Sequence, residues 1–387
     1  MASARTTFDT LIIGAGPVGL VAAIAFARAG QSVALIAPPA RSGHSGRTVA
    51  LMKGSVQFLD TLSLWSRIVP HTAPLARMTL IDDTASLFRP PPAVFNASEI
   101  GLDAFGYNIE VDQLVELLEA VATAQSGLIR FSLAAETFAL EDKRAAVILT
   151  DGTRLEAALL VAADGRKSKV RAGVGITTRE WHYHQSAFTT LLEHDVDHHD
   201  TSTEFHTREG PFTFVPLPGK RSSLVWLSSP ERAKGLFQLD DTALAARIEK
   251  QSKSFLGSVR LSGPRGLVPM AGLSVSAIAR QRVALVGEAA HAFPPIGAQG
   301  LNLGLRDVRD LVRAATPSPD PGSDAVLSAY QRSRSRDIAT RTRAVDALNR
   351  SLLSPLLPVD FARGLGLLAV STLKPLRHLV MRKGLGA

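Results

Sequence analysis

Apolar and polar positions along this chain fall into two textures. Thr10 to Ile13 is a short apolar, β-prone run, and an Ala-rich apolar stretch follows through about Arg28. Between them stands Gly14-Ala15-Gly16-Pro17-Val18-Gly19, and Gly30 separates the stretch from a second apolar run, Ser32 to Ile36. The pattern predicts strand, glycine turn, helix, strand. Leu159 to Arg171 predicts another apolar strand running into Asp164-Gly165 and a basic helix start, with Ser168 as a cap. Val283 to Val286 predicts a buried strand, followed by a loop built on Pro294, Pro295, Gly297 and Gly300 and a helix from near Leu301. Residues 179–273 differ: SAFTTLLEHDV, STEFHT, PFTFVPL and SSLVWL are rich in β-formers and read as antiparallel strands joined by turns such as Pro218-Gly219.

The first segment has the spacing of a dinucleotide site. Gly14 allows the tight turn, Gly16 lets backbone approach a pyrophosphate, and Gly19 lets the helix pack close to the sheet. The acid expected at the end of the second strand, for a ribose hydroxyl, is missing: Ala37-Pro38-Pro39 stands there. Asp164, at a strand's carboxyl end, is placed to accept hydrogen bonds from a ribose or a ribityl chain, although Asp-Gly after a strand also reads as a plain turn. The helix start near Leu301 gathers backbone N–H groups and partial positive charge, as the edge of a reduced flavin ring requires.

Together and in this order, the three segments resemble the flavoprotein aromatic hydroxylases of the para-hydroxybenzoate hydroxylase type, and most closely the ubiquinone-biosynthesis FAD-dependent hydroxylases. The likeness extends through Arg47-Thr48-Val49-Ala50-Leu51, Leu62-Ser63-Leu64-Trp65, Gly106-Tyr107-Asn108-Ile109-Glu110, Gly210-Pro211, Val215-Pro216-Leu217, and Tyr330 with Arg334 and Asp337. Its most specific piece is PPIGAQGLNLGLRD. The resemblance implies an α/β fold: a Rossmann-like FAD-binding domain with an inserted, mainly antiparallel β-sheet substrate domain and C-terminal helices. It assigns residues 1–75, 101–178 and 274–324 to the FAD domain and 76–100 and 179–273 to the substrate domain, leaving 325–387 as a C-terminal helical region.

The same resemblance implies FAD as cofactor, NAD(P)H or a ferredoxin-type partner as electron donor, and O2 as co-substrate. The implied reaction is hydroxylation of a polyprenylated phenol through a flavin hydroperoxide. Gly14, Gly16, Gly19, Arg47, Asp164, Glu288, Gly300, Leu301 and Asn302 would bind the cofactor, Arg47 at its pyrophosphate. Pro294, Pro295 and Gly297 would face the flavin, and no catalytic base is assigned. Glu288 stands where the family usually has Asp, and Val111 where it often has Asn or Arg; with Ala37, these departures bear on FAD affinity. Two alternatives stay open: a soluble hydroxylase of single-ring phenols, and a non-catalytic subunit of a quinone-biosynthesis complex.

Composition adds limits. The 387 residues, 45% hydrophobic, suffice for a large core and two packed units, and the absence of cysteine removes disulfides and thiolate metal sites. Leu11 to Ala27 reads as part of the fold, not an export signal, and no apolar run is long enough to span a bilayer, so a cytoplasmic location is expected. The net charge of +8 comes without an aromatic-interleaved basic motif, so nucleic acid is not an expected partner. Its clearest excess is C-terminal. Arg363, Lys374, Arg377, Arg382 and Lys383 interleave with Leu356, Leu357, Phe361, Leu365, Leu367, Leu368, Leu373, Leu376, Leu379 and Val380. This suits either a helical tail covering the domain or peripheral contact with an anionic inner-membrane surface. Six histidines, His182, His184, His194, His198, His199 and His206, match no common metal spacing, and most are expected to be solvated. His291, beside Glu288, is expected either to face the flavin or to cap local backbone.

Overall fold

The structure, a computed structural model, describes residues 6–39, 46–84, 91–293, 299–353 and 372–385. Among these, the strand Thr7–Ile13 lies at the centre of a sheet, between Val33–Ile36 and Arg154–Ala162 and parallel to both. Leu128–Phe131 extends the parallel set on one side and Val283–Leu285 on the other. The central strands end in continuous buried apolar runs, Leu11–Ile13, Val33–Ile36, Leu159–Ala162 and Val283–Leu285, as parallel strands covered on both faces do.

Register does something the separate motifs could not show. Ile13 lies opposite Ala162, and Ala162 opposite Leu285. The glycine turn, the Asp164 turn and the Gly287-Glu288 turn therefore leave three adjacent strands in one row, at their carboxyl ends. This is where open α/β sheets place their ligands.

The helix Pro17–Arg28 is buried without interruption from Gly19 to Ala27. It needs no polar face, because it sits between the sheet and the helices Val111–Ala124 and Gln299–Ala315. A smaller sheet of Thr48–Met52, Gly106–Glu110 and Ala73–Pro74 lies beside this unit.

The second large sheet is antiparallel except where Thr201–Thr207 runs parallel to Arg77–Asp82. Its long strand, Thr178–His194, pairs with Arg221–Ser228 and with Gly266–Val275. Gly219, at φ +77°, turns the chain between Gly210–Leu217 and Arg221–Ser228. One face of the sheet buries Phe188, Phe212, Phe214, Leu224 and Trp226. The residues against them come from two helices, Pro230–Gln238 and Asp241–Ser252, inside the stretch read as strands. Their signals were local caps: Ser229 accepts from Arg232 N, and Asp240 from Ala243 N.

A long helix, Asp324–Leu353, follows the proline-rich connection 316–323, which is pinned where Arg282 grips both Asp320 oxygens at 2.7 and 2.9 Å. The last helix, Lys374–Leu385, buries Met381 against Leu75, Ala93 and Phe95, and Arg377 reaches Glu99 at 2.8 Å. Leu373 and Leu379 stay exposed at 55% and 50%. Residues 354–371 of the tail lie outside the described residues.

Candidate functional site

Three glycines of the first turn are glycine for different reasons. Gly14 takes φ +109°, and a Cβ there would lie 2.3 Å from Ala163 O. A Cβ on Gly19 would lie 2.0 Å from Gly14 O. Both positions are closed by the protein's own backbone. Gly16 is the opposite case: it has ordinary extended angles, φ −73° and ψ 174°, and none of the described residues lies within 4 Å of its Cβ position. The fold does not demand glycine at Gly16. A phosphate ligand approaching the start of helix Pro17–Arg28 would.

Beside this turn, Asp164 is half-buried; its Oδ2 accepts from Val170 N at 3.2 Å, and its Oδ1 is buried with no partner among the described residues. Arg171 ties the second turn to the third, donating to Arg166 O at 2.8 Å and to Ala289 O at 2.9 Å. Burial holds its guanidinium pKa below the ordinary arginine value. Nothing in the sequence pattern singled out Arg171. Glu288 is exposed on the third turn, where the neighbouring Gly287 has φ +61°. A longer carboxylate arm there can swing toward a ligand on the row of strand ends.

Helix Gln299–Ala315 begins beside these turns, with Gly300 exposed, Leu301 half-buried and Asn302 buried. Pro294, Pro295 and Gly297 lie outside the described residues. The side chain of Asn302 faces protein: its Oδ1 accepts from Met52 N at 2.9 Å and Ser55 Oγ at 2.6 Å, and its Nδ2 donates to Ala50 O at 2.7 Å. Asn302 thus locks the helix start to Thr48–Met52. Asn302→Ala should cost about 2–4 kcal/mol, since it strands a buried amide, hydroxyl and carbonyl; chemical denaturation checks this.

Below the turns lies a buried ionic hub. Asp307, fully buried, accepts from Gly287 N at 3.0 Å, His291 Nε2 at 2.6 Å and Arg334 Nε at 2.8 Å. Arg334 also donates to Asp337 at 2.8 Å and Asp310 at 3.3 Å. Burial works against its charge, but Asp307 and Asp337 outweigh that and push its pKa up. Tyr330 donates to Leu285 O at 2.7 Å, and burial raises its pKa well above the usual phenol value. The long C-terminal helix is thereby fastened to the strand and turn that present Glu288. His291 is accordingly held by a carboxylate; because Asp307 can only accept, Nε2 carries the proton.

The remaining assignments separate. Arg47 is exposed, and its carbonyl accepts from Val111 N at 2.9 Å. Ala37 is buried at the strand end, and Arg130 donates to its carbonyl at 2.8 Å. The histidine cluster corrects the expectation of solvation: His182, His184 and His199 are exposed, but His194, His198 and His206 are buried. His194 bonds Val196 O and Ser222 Oγ, His198 bonds Leu217 O, and His206 bonds Glu204. They were misread because the segment looked polar overall, whereas His194 ends a strand whose alternation turns it inward and His198 lies in the turn that follows, bonded to Leu217 O. Burial pushes the His194 pKa down.

A family model described as the FAD binding domain matches residues 7–345. The chain is 34% identical over 397 residues to the ubiquinone hydroxylase UbiL of Rhodospirillum rubrum, covering 99% of this chain and 91% of that one. The chain belongs to the FAD-dependent ubiquinone-biosynthesis hydroxylases. FAD is the cofactor of this hydroxylase, and the enzyme is an FAD-dependent aromatic-ring monooxygenase. The hydroxylase is also 30% identical over 391 residues to the 3-demethoxyubiquinol 3-hydroxylase of Escherichia coli, with 98% of each chain covered. Among solved structures, p-nitrophenol 4-monooxygenase PnpA of Pseudomonas putida superposes with a TM-score of 0.81 at 19% identity, covering 98% of this chain and 97% of that one. That last likeness shows the shared fold. No helix among the described residues is long and apolar enough to cross a membrane.

Proposed function

We propose that this hydroxylase adds a hydroxyl group to the aromatic ring of a polyprenylated phenol in ubiquinone biosynthesis. The observation that carries the reading is the single row formed by Gly14, Asp164 and Gly287 at the carboxyl ends of three adjacent strands. The open space at Gly16 and the unpartnered Asp164 Oδ1 fit FAD. The names of the relatives, a ubiquinone hydroxylase and a 3-demethoxyubiquinol 3-hydroxylase, supply the substrate class.

In this reading the amides after Gly14 and at Gly16 receive the pyrophosphate at the start of helix Pro17–Arg28, with Arg47 beside them, and Gly19 keeps that helix tight to the sheet. Asp164 and Glu288 accept from ribose or ribityl hydroxyls. The first-turn amides at Gly300, Leu301 and Asn302 stabilise negative charge on the pyrimidine edge. Bound FAD supplies the activation of O2, one atom of which enters the ring while the other leaves as water, using two electrons from NAD(P)H or a ferredoxin-type partner. Pro294, Pro295 and Gly297 would border the flavin. Apolar walls between the sheets would keep water out and take the prenyl tail. Exposed Leu373 and Leu379 beside Lys374 and Arg382 support peripheral contact with an anionic membrane surface.

Deleting the gene from its host tests the reading. Mass spectrometry should show loss of ubiquinone and accumulation of a prenylated precursor lacking one ring hydroxyl, which identifies the position. Unchanged quinone would contradict the assignment and favour a hydroxylase of small phenols. Rescue by a variant unable to hold FAD would favour a non-catalytic subunit.

A further inference from the structure

We propose that Asn108 is the residue that recognises an oxygen substituent, a phenolic hydroxyl above all, on the ring being hydroxylated. The proposal rests on the function argued above. Asn108 is fully buried at 0% exposure, and neither its Oδ1 nor its Nδ2 has a hydrogen-bond partner among the described residues. A buried primary amide without partners is strongly unfavourable, and an apolar residue of similar volume would fill the space without that cost. A fold that keeps the amide has another use for it.

Its position says what that use is. Asn108 pairs with Ala50 on one side and Ala73 on the other, and residues paired this way share a face. The neighbours Leu51 and Ile109 project to the opposite face, into the core of the FAD-binding unit. Asn108 therefore projects away from that core, like Glu110 two residues later, whose carboxylate reaches Arg221 of the antiparallel sheet at 3.0 Å. Ala50 in turn accepts from Asn302 Nδ2 at 2.7 Å. Asn108 thus stands one strand away from the residue that anchors the helix start assigned to the flavin's pyrimidine edge, on the side facing the antiparallel sheet. That is where a ring must lie to be hydroxylated.

An amide offers one acceptor and a pair of donors at fixed spacing. A phenolic hydroxyl both donates and accepts, so it can engage Oδ1 or Nδ2; a prenyl tail can engage neither. Both atoms are shut from water in this structure. The strand Gly210–Leu217 packs over Gly106–Glu110, so a ring reaches the amide only when that strand draws back. Sites built this way reject analogues lacking the matching polar group.

The test uses the full-length, FAD-loaded protein in Asn108→Leu and Asn108→Ser forms, with a prenylated phenol and its analogue carrying hydrogen in place of the hydroxyl. Asn108→Leu should melt on the order of 2 °C higher and bind FAD within about twofold of wild type. Its KM for the phenol should rise about tenfold or more, with less product per donor oxidised, while its binding of the hydroxyl-free analogue matches wild type. Asn108→Ser should fall between the two, because it restores a hydrogen-bonding group. Wild-type KM and coupling in Asn108→Leu would overturn the proposal and leave the function standing. A wild-type protein inert toward every prenylated phenol, with FAD bound, would overturn the function itself.

Discussion

Asp307→Ala should lower stability by roughly 3–5 kcal/mol, the largest loss expected from any single side chain of this site. The carboxylate is fully buried and serves three donors from three elements, Gly287 N, His291 Nε2 and Arg334 Nε. Removing it leaves a guanidinium only 2% exposed with Asp337 and Asp310 alone to balance it. It also leaves two further buried donors without an acceptor. Asp307→Asn should recover part of the loss, since the amide keeps one acceptor oxygen but turns an N–H toward a donor. The measurement is the urea midpoint at constant m-value. A loss below about 1 kcal/mol would mean that Asp337 and Asp310 alone hold Arg334 and that the hub is not cooperative. FAD binding should weaken in the same variant, because Gly287 positions Glu288.

Two glycines three residues apart should give opposite phenotypes. Gly19→Ala puts a Cβ 2.0 Å from Gly14 O, a contact between two backbone segments that neither can relieve by a side-chain rotation. Helix Pro17–Arg28 must then lift from the sheet, costing roughly 3 kcal/mol or more as overpacked cores do, and the protein should express poorly. Gly16→Asp meets nothing within 4 Å, keeps an angle any L-residue adopts, and places a favoured residue at the helix N-cap. Its Tm should equal or slightly exceed that of wild type. Its FAD dissociation constant should rise at least about 100-fold, equivalent to about 2.7 kcal/mol, because bulk and negative charge meet the pyrophosphate. Circular dichroism melts and flavin fluorescence titration read the two effects separately. If Gly16→Asp bound FAD as wild type does, the pyrophosphate would lie elsewhere.

Much of this architecture could be read from the chain because its signals are local. The glycine turn, the Ala-rich helix and the apolar strands Val33–Ile36 and Val283–Leu285 depend on burial along one segment, and the structure has them where the pattern put them. The alternation that predicted antiparallel strands also held for Gly210–Leu217 and Arg221–Ser228. What escaped was relational. No pattern within one segment places Ile13, Ala162 and Leu285 in a single row. Arg171 and Asp307 act on residues 118 and 20 positions away, and nothing at either end announces the partner. Asn302 was chosen for its backbone amide, yet its side chain proves to be the fastener between the helix start and Thr48–Met52. The helices Pro230–Gln238 and Asp241–Ser252 were missed although Ser229 and Asp240 cap them, because the β-rich surroundings dominated the reading. The inward histidines were missed for a similar reason: the polarity of the segment hid their distant partners, Ser222 and Leu217 among them.

The departures at Ala37 and Val111 now have physical surroundings. Arg130 occupies the carbonyl of Ala37, and Val111 is buried as the first residue of helix Val111–Ala124, its N–H on Arg47 O. Neither position offers a carboxylate or amide side chain to a cofactor. In the proposed reading, the adenosine half of FAD would gain no polar side-chain contact at these two positions, and the glycine turn would carry a larger share of the affinity.

The most direct test of the central claim is to denature the protein as purified and identify what it releases. One FAD per chain, with the visible absorption of an oxidised flavin in the native sample and none in Gly16→Asp, is the expected result. A bound nucleotide other than a flavin, or full FAD occupancy in Gly16→Asp, would contradict it.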